Sequence, residues 1–80
     1  ITNDVIEKRF VETGEVDYVH VDGDGYHYHL TVVSDRFINQ MPVARQQWVY
    51  GQLKDWIAQG SLHAVNMQTY TKAEWEKKRG

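Results

Sequence analysis

The chain of 80 residues contains no cysteine and a single proline. The absence of cysteine excludes a disulfide framework, a cysteine nucleophile and a metal site built from the thiolates of this chain. No apolar run approaches the roughly 20 residues that span a bilayer, so we expect a cytoplasmic protein without a membrane partner. The sequence also lacks a Gly-x-Ser-x-Gly elbow and a glycine-rich phosphate loop, and we expect neither an enzyme nor a small-molecule substrate.

An excess of positive charge is also missing. Nine Lys and Arg residues stand against eleven Asp and Glu residues, which gives a net charge of −2. Proteins that bind nucleic acid tightly without sequence preference use many Lys and Arg side chains to neutralise phosphates. The charge balance therefore disfavours nonspecific nucleic-acid binding.

The apolar content is that of a folded protein. Hydrophobic residues make up 41% of the chain and aromatic residues 12%. A chain of this length has room for one modest core, and residues 1–80 are predicted to form a single domain. Residues 3–12 predict an amphipathic helix in which Ile6 and Phe10 lie one turn apart and Asn3 or Asp4 caps the first turn.

Residues 16–22 and 26–33 predict two strands, because each segment is short and rich in Val and Tyr. The Asp-Gly-Asp-Gly sequence between them tolerates positive φ, which favours a β-hairpin. In the second strand, alternation places Tyr28, Leu30 and Val32 on a face that packs inward. The opposite face, exposed to solvent or to a partner, carries three residues: His27, His29 and Thr31.

Two consecutive helices are predicted next. Ser34 and Asp35 can cap a short turn of helix through Phe37 and Ile38, or to about Gln40 at most, and Pro42 suits the first turn of a longer helix that reaches about Gln59. Gly51 inside the longer helix predicts close packing of a neighbouring backbone. Apolar residues recur at helical intervals in this helix, and four are expected to be buried: Val43, Tyr50, Leu53 and Ile57.

A third strand over residues 62–70 and a last helix complete the predicted elements. Thr71 and Glu74 form a Thr-x-x-Glu capping box at the start of the last helix, which we expect to carry Trp75 toward the core. The order is helix, strand, strand, helix, helix, strand, helix. This order predicts an α+β fold in which a three-stranded sheet is covered by helices on one side.

Four sequence blocks are distinctive when read together: residues 32–37 (Val-Val-Ser-Asp-Arg-Phe), 45–51 (Arg-Gln-Gln-Trp-Val-Tyr-Gly), 62–65 (Leu-His-Ala-Val) and 69–75 (Thr-Tyr-Thr-Lys-Ala-Glu-Trp). They resemble the BolA family, most closely its IbaG-like branch, and the similarity spans nearly the whole chain. The resemblance implies the same element order and a shape similar to a type II KH domain. KH domains clamp nucleic acid with a Gly-x-x-Gly loop, which is absent here. Asn39 replaces a family glycine, and Asn also tolerates left-handed backbone.

His63 is the residue to which the resemblance assigns chemistry. A lone histidine is by itself more often an ordinary exposed or hydrogen-bonded residue. In BolA proteins, however, the histidine of the His-Ala-Val step binds a [2Fe-2S] cluster shared with a monothiol glutaredoxin, and His63 matches that position directly. Such a cluster needs four ligands, commonly thiolates. Because this chain has no thiolate, the glutaredoxin cysteine and glutathione would have to supply the sulfur.

A second ligand from this chain stays open between His27 and Asp24. Many relatives place a Cys or His in the hairpin loop at the position that aligns with Asp24, but a carboxylate is a harder ligand and suits iron-sulfide chemistry less well. His27 is the better donor in a different register, and His29 on the same face is a further candidate. The structural alternatives are a turn residue for Asp24 and a solvent-facing strand residue for His27.

A DNA-binding transcriptional regulator of the BolA type, acting in stress response, is the alternative function. The two consecutive helices can mimic a helix-turn-helix, with Arg45, Gln46 and Gln47 approaching base edges, since Arg suits guanine and Gln suits adenine. Gln46 stands where BolA itself has an Arg-His-Arg run, which lowers the local positive charge. The same three residues can instead form a solvated helix face or a partner surface.

Overall fold

The computed structural model describes residues 1–79, which form a mixed three-stranded sheet, three α-helices and one 3-10 turn. The elements in chain order are α1 (Asn3–Glu12), β1 (Tyr18–Gly23), β2 (His27–Val33), the 3-10 turn (Asp35–Phe37), α2 (Pro42–Ala58), β3 (Ala64–Tyr70) and α3 (Lys72–Arg79). The predicted order and the α+β class are confirmed. No helix within residues 1–79 is long and apolar enough to cross a membrane.

The sheet has the order β1-β2-β3. β1 pairs antiparallel with β2, which confirms the predicted hairpin, and β3 pairs parallel with β2. The parallel pairing is possible because α2 carries the chain back to the far end of the sheet before β3 begins. His27 lies opposite Ala64, so the hairpin loop and the start of β3 share one end of the sheet.

One face of the sheet packs against α1 and α2. Tyr28, Leu30 and Val32 are buried on this face, as predicted, and His27 and His29 are exposed on the other. The buried residues that meet the sheet from the helices and connections are Ile6, Phe10, Phe37, Val49, Leu53 and Leu62. Leu62, in this core, immediately precedes His63, just before the start of β3.

The short turn of helix predicted through Phe37 and Ile38 is a single 3-10 turn, and it does not extend to Gln40 as the helix-turn-helix alternative requires. Ser34 caps it as expected, because its hydroxyl accepts the Arg36 amide at 3.2 Å. Asn39 follows with a left-handed φ of 63°, a conformation that Asn tolerates as expected. A turn of three residues does not supply the first helix of a helix-turn-helix.

The core side of α2 differs from the predicted one. Three of the four residues expected in the core are exposed instead: Val43, Tyr50 and Ile57. Val49 and Leu53 are buried, and Trp48 and Trp56 pack against the core beside them. Both sets recur at helical spacing. The side of α2 that carries the two tryptophans faces the core. Burial of this side removes more apolar surface from water than burial of the side with Val43, Tyr50 and Ile57 would.

Two further expectations about the helices are wrong. Thr2 caps α1, since its side chain accepts the Val5 amide at 3.2 Å, whereas Asn3 and Asp4 already lie in the first turn. Gly51 has no close neighbour, because a β-carbon built there would meet no atom within 4 Å. That glycine therefore marks an open stretch of the helix surface.

α3 lies on the face of the sheet opposite to α1 and α2. The Trp75 ring stacks on Tyr18 and tilts against Tyr70, each at 5.4 Å between centroids. Val33 is paired with both tyrosines in the sheet and is buried, yet it is not part of the main core. The expectation that all helices cover one side, with Trp75 toward the core, is therefore wrong for α3.

The predicted capping box opens α3. The Thr71 amide donates to Glu74 Oε1 at 2.8 Å, and the Glu74 amide donates to Thr71 Oγ1 at 3.2 Å. The Arg45 guanidinium on α2 also donates to Glu74 Oε1, at 2.7 Å. The bond from Arg45, followed by that from the Thr71 amide, lowers the pKa of Glu74 below its ordinary value. The start of α3 is thus tied to α2 by a charged hydrogen bond.

Candidate functional site

His63 lies on a short, firmly held connection between α2 and β3. Gly60 ends the helix with a left-handed φ of 78°. The amides of Ser61 and Leu62 then donate to the Trp56 carbonyl at 2.9 and 3.3 Å, and Leu62 enters the core. The predicted strand over residues 62–70 begins two residues later than expected, because Leu62 is held by α2, so His63 precedes β3. Its backbone is fixed on both sides while its imidazole is exposed.

The hairpin loop meets His63 through an aromatic ring. Tyr26 stacks on the His63 imidazole, with 5.6 Å between ring centroids and 24° between planes. The same tyrosine makes an edge contact with His27, with centroids 4.9 Å apart. Both imidazoles therefore contact one ring and lie at one end of the sheet. The sequence pattern did not point to Tyr26, because only the parallel register of β2 and β3 brings it beside His63.

Asp24 holds the shape of the hairpin loop. Its Oδ1 atom accepts the Tyr26 amide at 2.9 Å and the His27 amide at 2.8 Å. The Asp24 amide donates to the His27 carbonyl at 3.2 Å. The backbone hydrogen bonds from His27 and then Tyr26 lower the pKa of Asp24 below its ordinary value of 3.8. These contacts support the interpretation of Asp24 as a turn residue.

Asp24→Ala is expected to loosen the hairpin loop and to speed amide exchange at Tyr26 and His27 several-fold. Because the folded-state pKa of Asp24 lies below the unfolded value, its stabilisation is present above pH 3.8 and is lost as pH falls through the folded pKa. The urea midpoint of the wild type should therefore exceed that of the variant, and by more at pH 6 than at pH 3. Asp22→Ala, which removes an exposed carboxylate from β1, is the control. An Asp24→Ala difference that is the same at both pH values would contradict this role.

His29 lies in a different part of the sheet from His63. It is exposed on β2, in a row with Asp22 on β1 and Asn66 on β3. It is two residues further from the hairpin loop than His27. Within residues 1–79, no three His, Asp or Glu side chains are arranged to hold a metal ion. The structure thus brings His63 and His27 together at the loop and leaves His29 on the open face.

The predicted nucleic-acid contacts lie near the start of α2, away from His63. Gln46 and Gln47 are exposed, whereas the Arg45 side chain is only 13% exposed. Besides its bond to Glu74, the Arg45 guanidinium donates from Nε to the Gln40 carbonyl at 2.9 Å. Arg45 would have to break an ion pair and leave this position to contact a base.

The similarity to known proteins extends over nearly the whole chain. A family model described as BolA-like protein matches residues 5–74, which include the hairpin loop and His63. Acid stress protein IbaG of Escherichia coli strain K12 is 38% identical over 77 residues, covering 96% of this chain and 92% of the relative. The DNA-binding transcriptional regulator BolA of Vibrio cholerae is 34% identical over 84 residues, covering 92% and 78%. The structure of a BolA homologue from Coxiella burnetii is similar with a TM-score of 0.80 at 32% identity, covering 95% and 97%.

Proposed function

The chain belongs to the BolA family, and we propose that it is an IbaG-like accessory protein in iron-sulfur cluster assembly or trafficking. It forms a heterodimer with a monothiol glutaredoxin around a shared [2Fe-2S] cluster, to which His63 gives an imidazole nitrogen. One observation carries the proposal: the imidazole of the His-Ala-Val step is exposed on a backbone that is fixed on both sides. A ligand in that position can reach a partner without any rearrangement of the core.

The donor atoms of this chain suit a shared cluster rather than a resident one. The chain has no cysteine, and a [2Fe-2S] cluster takes four ligands that are commonly thiolates. The glutaredoxin cysteine and a glutathione thiolate would therefore supply sulfur, while His63 supplies nitrogen. A neutral imidazole in place of an anionic thiolate raises the reduction potential of such a cluster. Exchange of a thiolate-bound glutaredoxin homodimer for the heterodimer would then change how readily the cargo is released or reduced.

His27 is the better candidate for a second ligand from this chain. Its imidazole is exposed and contacts the same Tyr26 ring as His63. Asp24 is the weaker candidate, because its Oδ1 already accepts two backbone amides and a carboxylate suits iron-sulfide chemistry less well. Tyr26 is 60% exposed, so its ring offers apolar contact area to a partner beside the ligand.

Titration of a cluster-loaded monothiol glutaredoxin with this protein is expected to produce a new visible circular dichroism spectrum that saturates at one-to-one. The association should tolerate added salt, because coordination rather than phosphate neutralisation drives it. The DNA-binding alternative predicts instead an affinity for duplex DNA that falls steeply with salt and is lost on Arg45→Ala. An unchanged spectrum at every ratio, together with such DNA binding, would reject the proposed function in favour of the regulator.

A further inference from the structure

The outer edge of β3 carries backbone groups that point away from the sheet. The Ser34 amide donates to the Tyr70 carbonyl at 2.9 Å, so the backbone groups of Tyr70 face β2. The backbone groups of successive strand residues point alternately to the two sides of the strand. Three other residues of β3 therefore direct their amides and carbonyls away from β2. The outward-facing residues are Val65, Met67 and Thr69.

The two edges of the sheet are protected to different degrees. On β1, the outward amide of Val21 donates to the Glu7 carboxylate at 2.9 Å, and α1 packs along the strand. On β3, within residues 1–79, an outward-facing backbone group accepts a side-chain hydrogen bond only at the Thr69 carbonyl. That bond, from Arg45 Nη1, is long at 3.4 Å. The segment Ala64–Tyr70 also has no charged residue and no proline, the residue types by which edge strands avoid pairing with other chains.

We propose that this edge pairs with β3 of a second copy of the chain, antiparallel and about a two-fold axis at Met67. Met67 is the central residue of Ala64–Tyr70. The axis therefore sets Val65 opposite Thr69 of the second copy and Met67 opposite Met67. These are the residues whose backbone groups face outward, so each of these amides finds a carbonyl across the interface. In the dimer the Thr69 carbonyl accepts the Val65 amide of the second copy instead of the long bond from Arg45. Arg45 keeps its bonds to Gln40 and Glu74.

The side chains of the strand suit this antiparallel register. Val65, Met67 and Thr69 are partly buried and would meet the same three residues on the core side. On the open face, exposed Asn66 would meet Gln68 of the second copy, and two amides can hydrogen-bond to each other. Like charges placed opposite each other would oppose pairing, and this register places none opposite each other.

The two-fold axis also determines the size of the assembly. Each copy uses its β3 edge in pairing with the same edge, and the β1 edge is covered, so association stops at a dimer with a continuous six-stranded sheet. A single strand pair makes a small interface, at the low end of the areas found in weak complexes. We therefore expect a weak dimer that forms at high protein concentration.

Sedimentation velocity over micromolar to millimolar concentrations tests the dimer. The wild type should shift from the mass of one chain, 9.4 kDa, toward twice that mass. N66K/Q68K and N66E/Q68E should each associate at least about tenfold more weakly, because each puts like charges opposite each other across the axis. A mixture of the two variants should recover a one-to-one dimer, which also shows that both are folded.

The control V11K/Q59K adds the same charge at two exposed positions outside β3 and should dimerise like the wild type. Amide exchange gives a second readout, since the outward amides of Val65 and Met67 should become protected as concentration rises. A wild type that stays monomeric to millimolar concentration would overturn the proposal. So would a dimer whose strength is unchanged in both N66K/Q68K and N66E/Q68E.

Discussion

Phe10→Ala is expected to lower the free energy of unfolding by about 3–5 kcal/mol. The Phe10 side chain is fully buried, and its ring meets Trp48 at 6.1 Å between centroids, which joins α1 to α2. Truncation loses the transfer free energy of the ring and leaves a cavity that the fixed neighbours fill only in part. A domain of 80 residues has a total stability of roughly 4–12 kcal/mol, so this one change removes a large fraction of it.

Urea denaturation followed by tryptophan fluorescence measures this loss. Val11→Ala on the same helix is the matched control, because Val11 is 62% exposed and its truncation should change stability by no more than about 0.5 kcal/mol. If Phe10→Ala cost less than about 1 kcal/mol, the packing of α1 against α2 described above would be contradicted.

His63→Ala is expected to abolish the shared-cluster spectrum while leaving the fold intact. The imidazole is exposed, so its removal should change the free energy of unfolding by no more than about 0.5 kcal/mol. The same removal deletes the ligand that we assign to this chain, and no cysteine is present to replace it. His63→Cys should restore cluster sharing with a different spectrum and a lower reduction potential, because a thiolate then takes the place of the neutral imidazole.

Two further histidine variants separate ligation from general effects of the substitutions. His29→Ala removes an exposed histidine from the open face and should leave the titration unchanged. His27→Ala should alter the spectrum if His27 is the second ligand, and Asp24→Ala should do so if the carboxylate has that role. A His63→Ala variant with the full wild-type spectrum would contradict the assignment of His63, whatever the result at His27.

The sequence predicts the elements of the fold better than their packing. The hairpin, the Ser34 cap and the Thr71 capping box depend on local contacts, and all three are confirmed. The core side of α2 could not be predicted, because two sets of apolar residues share the helical period and only contact with the sheet selects between them. The position of α3 depends on Trp75 meeting two tyrosines that are distant in sequence.

The candidate site shows the same division between local and distant information. His63 could be singled out only through the resemblance of the His-Ala-Val step, because no periodicity or spacing distinguishes an exposed histidine that carries a ligand role. Tyr26 was missed, since its contact with His63 follows from parallel pairing across a long crossover through α2. Such a register is set by tertiary packing and leaves no signal in either segment alone.

The measurement that tests His63 ligation most directly is pulsed electron paramagnetic resonance of the reduced cluster formed with glutaredoxin. This protein is labelled with ¹⁵N-histidine, while the glutaredoxin and glutathione are left unlabelled. A strong ¹⁵N coupling in the wild type that remains in His27→Ala and disappears in His63→Ala is the predicted result, since His63 then supplies a coupled nitrogen. Absence of ¹⁵N coupling in the wild-type complex, or a coupling that persists unchanged in His63→Ala, would contradict ligation by His63.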